Sequence, residues 1–182
     1  LKKTIILFIT GLLILGNWTL WIYAVSADKI IDSSFGYFIF PILSVFLGFL
    51  FLNEKLNKQR VISILLVAVS TLYLLFNMTS LPWVGLGVAF LWSAYNLLRK
   101  KINVETDIGL LIESLFILPI IGIILYYIIT TNNNDFDLQN LGLASLIILA
   151  GPMTVIPLFL YVKGVELSGL GPAGMIFYIT PT

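Results

Sequence analysis

The stretch FPILSVFLGFLFLNEKLNKQRVISILLVAVSTLYLL, residues 40–75, sets a short basic segment between two long apolar runs. Each run approaches the roughly 20 residues that a helix needs to cross about 30 Å of hydrocarbon. Outer-membrane strands are shorter and alternate apolar with polar residues, and runs such as Ile5 to Leu15 show no such alternation. The stretch therefore predicts two membrane-spanning helices joined by a loop at the membrane surface.

The same pattern continues on both sides of this stretch. Hydrophobic residues make up 59% of the 182-residue chain and charged residues only 10%, far from the averages of soluble domains. We predict an all-α, polytopic helical membrane protein with six complete spans and a truncated seventh. Because the seventh run is cut at Thr182, we expect the chain to be a fragment. The predicted spans are 4–25, 33–52, 61–78, 81–98, 108–130 and 141–162, with the seventh beginning at about 170.

Basic residues concentrate in every second gap between these runs. Lys29 alone lies in an intervening gap; the other basic residues are Lys2, Lys3, Lys55, Lys58, Arg60, Arg99, Lys100, Lys101 and Lys163. Short loops rich in Lys and Arg stay in the cytoplasm. We therefore predict a plasma-membrane protein whose loops at 53–60, 99–107 and 163–169 are cytoplasmic. The gaps at 28–32, 77–81 and 131–140 are then external.

The first apolar run has a second interpretation. Lys2 and Lys3, the run itself and the small residues of 24–27 could form a signal peptide with its cleavage site. The run is long for such a peptide, and it contains Asn17 and Trp21. A retained first span is therefore favoured.

Composition also limits the chemistry of this stretch. A net charge of +1 offers no basic surface for nucleic acid. The absence of Cys and His argues against disulfides, thiol nucleophiles and most zinc or haem sites, so we expect no metal and no cofactor. Gly169, Gly171 and Gly174 match a dinucleotide-binding pattern, but Pro172 interrupts it and no strand precedes it.

Two segments of the chain match each other at an offset of 140 residues. Residues 21–25 align with 161–165, and residues 37–41 align with 177–181. Five spans separate the paired segments, and an odd number reverses their direction across the membrane. The match predicts an inverted-topology repeat, which in transporters places the solute site between the two halves. The alternative is a chance alignment of aromatic-rich helices.

Several motifs resemble those of a known family. They are GNWTLWIYAV at 16–25, SFGYFIFP at 34–41, LGFLFLNEK at 47–55, SLP at 80–82, LLRKKI at 97–102 and GLLIES at 109–114. They are similar to helices three, four, six and seven of the RarD family, which belongs to the drug/metabolite transporter superfamily with EamA-type domains. The resemblance covers nearly the whole chain in order.

This resemblance implies a permease of ten helices in two inverted five-helix halves, with both termini in the cytoplasm. On that map the chain runs from helix three to the start of helix nine. Residues 1–78 are the end of the first EamA-like half, with three spans. Residues 79–182 begin the second half, with three spans and a truncated one. Members of the family are described as chloramphenicol-sensitivity or metabolite-export proteins.

Glu113 is the only carboxylate well inside a predicted span. Ionisable groups at such depth are costly and usually functional. One interpretation makes Glu113 a proton-coupling or substrate-cation site. The other makes it a structural partner of Arg99 or Lys163, which lie near the same membrane side. The sequence leaves both open.

Polar and aromatic residues share faces of several predicted helices. Asn17 and Trp21 lie one turn apart on the first span, while Trp92 and Asn96 do so on the fourth. Asn17 either faces a wet cavity or bonds a neighbouring helix. Gly85 and Ala89, at small-xxx-small spacing, predict close helix packing. Aromatic walls with a few amides suit an amphipathic organic solute better than a bare ion. The predicted substrate-cavity residues are Asn17, Trp21, Tyr37, Asn96 and Tyr178.

These patterns favour a secondary permease that moves a small organic metabolite or drug by alternating access, with protons as the candidate coupling ion. The expected partners are the lipid bilayer and the solute. An intramembrane lipid-modifying enzyme would need convergent acid, base or metal ligands, which the spans lack, so we expect no enzyme. A non-transporting membrane assembly subunit is the other alternative.

Overall fold

The computed structural model describes residues 2–78, 80–131 and 141–179, which form helices and no strand. The helices are α1 (Lys2–Ser26), α2 (Ile30–Leu52), α3 (Lys58–Asn77), α4 (Trp83–Ile102), α5 (Thr106–Thr130), α6 (Leu141–Ser168) and α7 (Leu170–Ile176), followed by a 3₁₀ turn at Phe177–Ile179. Each predicted apolar run overlaps one helix, so the predicted all-α, polytopic fold is confirmed. The predicted external gap beyond Thr131 lies outside the described residues, as do Thr180 and Pro181 of the predicted repeat.

Among the described residues, five helices, α1, α2, α3, α5 and α6, are long and apolar enough to cross a membrane. α4 is a 20-residue helix at the place of the fourth predicted span, but its last turn carries Arg99, Lys100 and Lys101, which make it less apolar. It packs against both α1 and α2 and buries Val88 and Tyr95. Among the helices of 20 residues or more, the one with the most charged residues therefore also has the largest share of buried residues.

The outer helices expose their apolar side chains. On α3, α5 and α6, Phe76 is 85% exposed, Ile123 71% and Leu146 66%. Lipid tails are as apolar as leucine, so such faces need no protein partner in a bilayer. This exposure is typical of a multi-pass membrane protein.

Asparagines mark several helix ends. Asn53 directly follows α2 and Asn103 directly follows α4, and both residues adopt left-handed backbone angles, with φ of 54° and 47°. Asn tolerates this conformation, which terminates a helix without the penalty that most side chains meet. α3 begins after Asn57, whose side-chain oxygen accepts a hydrogen bond of 2.8 Å from the backbone N–H of Arg60.

Alternate loops meet at the same end of the bundle. Glu54, in the α2–α3 loop, accepts hydrogen bonds from the first backbone N–H groups of α7. Lys100, at the end of α4, donates to the carbonyl of Glu166 near the end of α6. At the opposite end, the α1–α2 and α3–α4 connections line one depression, which includes Asp28 and Ser80. Successive helices therefore run in opposite directions.

α2 and α4 cross at two glycines. A Cβ placed on Gly36 would lie 2.5 Å from the carbonyl oxygen of Gly85, which is closer than real atoms allow. One turn along α4, Ala89 is fully buried. The predicted close packing at Gly85 and Ala89 is confirmed. This crossing fixes the distance between α2 and α4.

Candidate solute cavity and buried ion pair

A cavity of about 300 Å³ lies among α1, α2, α4 and the 3₁₀ turn. Asn17 is its main polar group, and Gly36, Val88 and Ala89 contribute small or aliphatic surface. The rest of the wall is aromatic: Trp18, Trp21, Tyr37, Phe40, Trp92 and Phe177. Such a lining, apolar with few polar groups, is typical of sites for small organic molecules.

The aromatic side chains of the wall contact one another in a chain. The ring centroids of Trp21 and Tyr37 are 5.6 Å apart, and Tyr37 stacks on Phe177 at 5.5 Å. Phe177 also meets Phe40 edge-on at 4.8 Å. These distances lie in the range of favourable aromatic pairs, about 4.5–7 Å. These contacts between the rings therefore stabilise the arrangement of the aromatic side chains in the wall.

Asn17 contributes both to the wall and to helix packing. It is 6% exposed, and its amide Nδ2 donates a hydrogen bond of 2.9 Å to the carbonyl oxygen of Val88 on α4. The two interpretations of Asn17 left open by the sequence are therefore compatible. The amide joins α1 to α4 and still forms part of the cavity surface.

Three predicted cavity residues, Asn17, Trp21 and Tyr37, line this cavity, and two do not. Asn96 is fully buried within α4, where its amide donates to the carbonyl of Trp92 at 2.7 Å. The Tyr178 hydroxyl donates to the carbonyl of Phe38 at 3.2 Å, and its side chain lines a separate apolar groove beside α3. The sequence analysis missed Trp18, Phe40 and Phe177, although Phe177 aligns with Tyr37 in the predicted repeat.

Glu113 lies in a buried cluster one layer behind the cavity. Its Oε1 is 3.4 Å from Nε of Arg99, and the two side chains are 2% and 3% exposed. The hydroxyl of Thr10 donates to Oε1 at 2.7 Å and that of Tyr95 donates to Oε2 at 3.2 Å. The ring of Tyr95 in turn stacks on Trp92 of the cavity wall, with centroids 5.4 Å apart. Tyr95 therefore connects the carboxylate of Glu113 directly to the cavity wall.

Of the two candidate ion-pair partners, Arg99 is the one beside Glu113. Lys163 pairs instead with Glu166, at 2.8 Å between Nζ and Oε1, three residues along α6. Glu166 also accepts a hydrogen bond of 2.5 Å from the hydroxyl of Thr106. The carbonyl of Thr106 accepts from Nη2 of Arg99 at 3.3 Å. A series of polar contacts thus connects the buried Arg99–Glu113 pair with Glu166 and Lys163, near the C-terminal end of α6.

The described residues offer little to a metal or to acid–base chemistry. Within residues 2–78, 80–131 and 141–179, no three Asp, Glu, His or Cys side chains group closely enough to hold a metal ion. Glu113 is the one carboxylate buried inside a helix in those ranges. The arrangement provides a shaped apolar chamber and one charge pair beside it.

Comparison with curated proteins finds relatives along the whole chain. Protein RarD of Salmonella typhi is 35% identical over 181 residues, which is 100% of this chain and 62% of the relative. An uncharacterized transporter of Vibrio cholerae is 36% identical over 181 residues, 100% of this chain and 60% of the relative. The uncharacterized transporter YojE of Bacillus subtilis is 34% identical over 177 residues, 97% of this chain and 58% of the relative.

The chain spans about three fifths of the length of these relatives. No protein-family model matches the chain, and no solved structure matches it significantly. The relatives align across α1 to α7, so the similarity includes every segment that builds the cavity and the ion pair. Along its full length, this chain is similar to RarD proteins and to uncharacterized bacterial transporters, which confirms the family resemblance predicted from its motifs.

Proposed function

We propose that this chain is part of a secondary permease that moves a small organic solute across the membrane by alternating access. The observation that carries the proposal is the aromatic cavity of about 300 Å³ that α1 and α2, both long and apolar enough to cross a membrane, form with α4 and the 3₁₀ turn. Its relatives include proteins named as transporters, which agrees with this use of a cavity. The solute is an amphipathic molecule, because the wall combines stacked rings with the single amide of Asn17.

Internal contacts support an inverted repeat as the basis of alternating access. The Trp21–Tyr37 ring contact, at 5.6 Å, recurs 140 residues later as a Tyr161–Phe177 contact, also at 5.6 Å. α2 begins at Ile30, and α7 begins at the residue 140 positions later. Aligned Tyr37 and Phe177 also stack on each other, as residues beside a pseudo-two-fold axis would. The two halves of the proposed permease meet at Tyr37 and Phe177, which both line the cavity.

The orientation in the proposal follows from the loops. The segments 53–60, 99–107 and 163–169, predicted as loops, include the ends of α3, α4 and α6 as well as the short connections beside them. They carry most of the basic residues and meet at one end of the bundle. We assign that end to the cytoplasm, because short basic loops are retained there.

Protons are the proposed coupling ion, and Glu113 is the proposed coupling group. Protonation of Glu113 would remove the negative charge that faces Arg99 at 3.4 Å. Two further donors, Thr10 and Tyr95, would lose an ionised acceptor at the same time. Because Tyr95 stacks on Trp92, this rearrangement would reach the cavity wall.

The first test is solute flux by the purified full-length protein in lipid vesicles, screened over amino acids, amines and antibiotics. Tyr37→Ala removes a ring that contacts both Trp21 and Phe177. Tyr37 also lines the cavity, and a solute ring that stacks on it would gain about 0.5–1.5 kcal/mol, so we expect uptake efficiency to fall about two- to tenfold. Phe76→Ala, which removes an 85% exposed ring on α3, is the matched control and should leave flux unchanged. Absence of flux for every solute would favour an assembly subunit instead.

The second test isolates proton coupling. Glu113→Gln keeps the shape of the side chain but cannot release a proton, so transport should no longer respond to a pH gradient. Asp107→Asn, an exposed carboxylate on the same helix, is the control and should keep the response. An unchanged pH response in correctly inserted Glu113→Gln protein would remove Glu113 from the coupling mechanism.

A further inference from the structure

Glu54 joins two loops that are far apart in sequence. It follows Asn53, the left-handed residue that ends α2. Its Oε1 accepts a hydrogen bond of 2.6 Å from the backbone N–H of Leu170, and its Oε2 accepts one of 2.8 Å from Gly171. The first N–H groups of a helix have no partner within the helix, and a carboxylate is a strong acceptor for them. Glu54 therefore fastens the start of α7 to the end of α2.

Glycines make room for this carboxylate. A Cβ on Gly169 would lie 2.7 Å from Oε1 of Glu54, and one on Gly171 or Gly48 would lie 2.9 Å from Oε2. Gly169 also has φ of 95°, a conformation that other residues rarely adopt. Contact with Glu54 therefore explains the glycines at 169 and 171 without any bound dinucleotide.

The contact between α2 and α7 continues from Glu54 to the cavity. Midway, a Cβ on Gly174 would lie 2.8 Å from the Cβ of Ser44, so the two helices approach closely there. The path ends at Phe40 and Phe177, whose rings meet at 4.8 Å and line the cavity. We call this path, from Glu54 through Ser44 and Gly174 to Phe40 and Phe177, the α2–α7 seam.

Ser44 supplies an independent observation within the seam. Its side chain is fully buried, and its hydroxyl has no hydrogen-bond partner among the described residues. A buried hydroxyl without a partner costs about 1–3 kcal/mol. The cost would be relieved if water entered the seam during part of the working cycle.

The other end of α2 carries a weaker contact of the same kind. There Asp32 accepts one hydrogen bond, at 3.2 Å, from the backbone N–H of Gly85 in the first turn of α4. Glu54 makes two bonds, both shorter. Of these two carboxylate contacts, the one made by Glu54 is therefore the stronger.

We infer that Glu54 controls access to the cavity from its end of the bundle, by holding the α2–α7 seam closed until both of its hydrogen bonds break. The inference rests on the proposed permease function, and it adds a specific residue that controls opening. When the bonds break, α7 separates from α2 and water reaches Ser44 and then the cavity. Glu54 is a positioning residue, because it does not touch the solute.

A labelling experiment tests the seam without measuring transport. Residues 1–182 contain no cysteine, so Ser44→Cys in a cysteine-free full-length protein places one thiol in the seam. The reagent is a membrane-impermeant maleimide added to membrane vesicles with the Glu54 end facing outward. Glu54→Gln can accept through only one oxygen and loses the charge. It should raise the labelling rate of the thiol introduced by Ser44→Cys about tenfold.

Glu105→Gln is the matched control, because Glu105 is an exposed carboxylate at the same end and makes no helix-cap bond. It should change the rate less than about twofold. If Glu54→Gln fails to insert, Gly171→Ala displaces the carboxylate without changing charge and should raise the rate similarly. Labelling that is unchanged in the inserted variants, or raised equally by Glu105→Gln, would overturn the inference.

A cross-link tests whether the seam must open for transport. Ser44→Cys combined with Gly174→Cys places two thiols where the backbones nearly touch. Oxidation of the two thiols to a disulfide by an added oxidant such as copper phenanthroline should stop solute flux, and reduction with dithiothreitol should restore flux. Continued flux through the oxidised protein would refute the inference. If the unmodified protein moves no solute at all, the proposed function fails, while the labelling result still decides the role of Glu54.

Discussion

Replacement of Glu113 by leucine should destabilise the protein far more than replacement of Glu113 and Arg99 together. The two side chains are 2% and 3% exposed and lie 3.4 Å apart. Glu113→Leu leaves the guanidinium of Arg99 buried without its counter-charge. Breaking a buried pair in this way costs about 3–5 kcal/mol of the free energy of unfolding, because the remaining charge is neither solvated nor paired.

The neighbours of the pair refine this magnitude. The carbonyl oxygen of Leu7 lies 3.0 Å from the hydroxyl of Thr10, so that hydroxyl can donate there after the substitution. Tyr95 loses its bond to Glu113, which adds about 1–3 kcal/mol for a buried hydroxyl. The double variant Glu113→Leu with Arg99→Met incurs the Tyr95 cost and loses the bond from Arg99 to the carbonyl of Thr106, but it leaves no buried charge without a partner. It should therefore be more stable than Glu113→Leu by about 2 kcal/mol or more.

The assay is denaturant or thermal unfolding of the purified full-length protein in one detergent, with all variants measured together. The Arg99→Met single variant completes the double-mutant cycle. A Glu113→Leu variant as stable as the parent protein would refute the argument that the pair is desolvated. So would a double variant whose loss equals the sum of the two single losses, because the charges would then be independent.

Two further predictions concern packing and orientation. Gly85→Ala should lower the free energy of unfolding by about 1–3 kcal/mol, because its Cβ would overlap the backbone of α2, whereas Gly122→Ala, with nothing within 4 Å, should have little effect in the same unfolding assay. Cysteines placed at Asn57 and Asn103 should both react with an impermeant reagent from the cytoplasmic side only, and labelling from opposite sides would contradict the proposed topology.

The helices could be predicted from the sequence because a bilayer imposes a local requirement, a long apolar run, on each of them separately. α2 shows this most clearly, since its predicted run of 33–52 ends where the helix ends. α4 lies at the predicted fourth span of 81–98, but it is not among the helices that are apolar enough by this requirement. Its charged last turn is accommodated by contacts with other helices, and those contacts are not visible in its own sequence.

The cavity could be predicted only in part, because it depends on how each helix is rotated against its neighbours. Successive residues on a helix point about 100° apart, so Phe177 faces the cavity while Tyr178 faces the groove beside α3. Asn96 is one turn from Trp92, yet it lies within the α4 packing rather than in the wall. The spacing of polar residues therefore indicated helices that line the cavity, but not how every helix is rotated about its axis.

The role of Glu54 was not predicted, because its partners lie 116 and 117 residues away. In the sequence, Glu54 belongs to a short loop rich in basic residues, where a charged side chain is expected to face solvent. The glycines at 169 and 171 were noticed, but only as a match to an unrelated pattern. A carboxylate after one helix and glycines at the start of another become informative together once the structure places them in contact.

The crossing of α2 and α4 at Gly36 and Gly85 has a consequence for the range of solutes. Gly36 itself borders the cavity, so the distance between two backbones, rather than the size of a side chain, fixes the width of the chamber on that side. A homologue with alanine at either glycine would hold the two helices farther apart while keeping every aromatic ring. Such a protein would accept bulkier molecules through a change at a position that makes no polar contact with them.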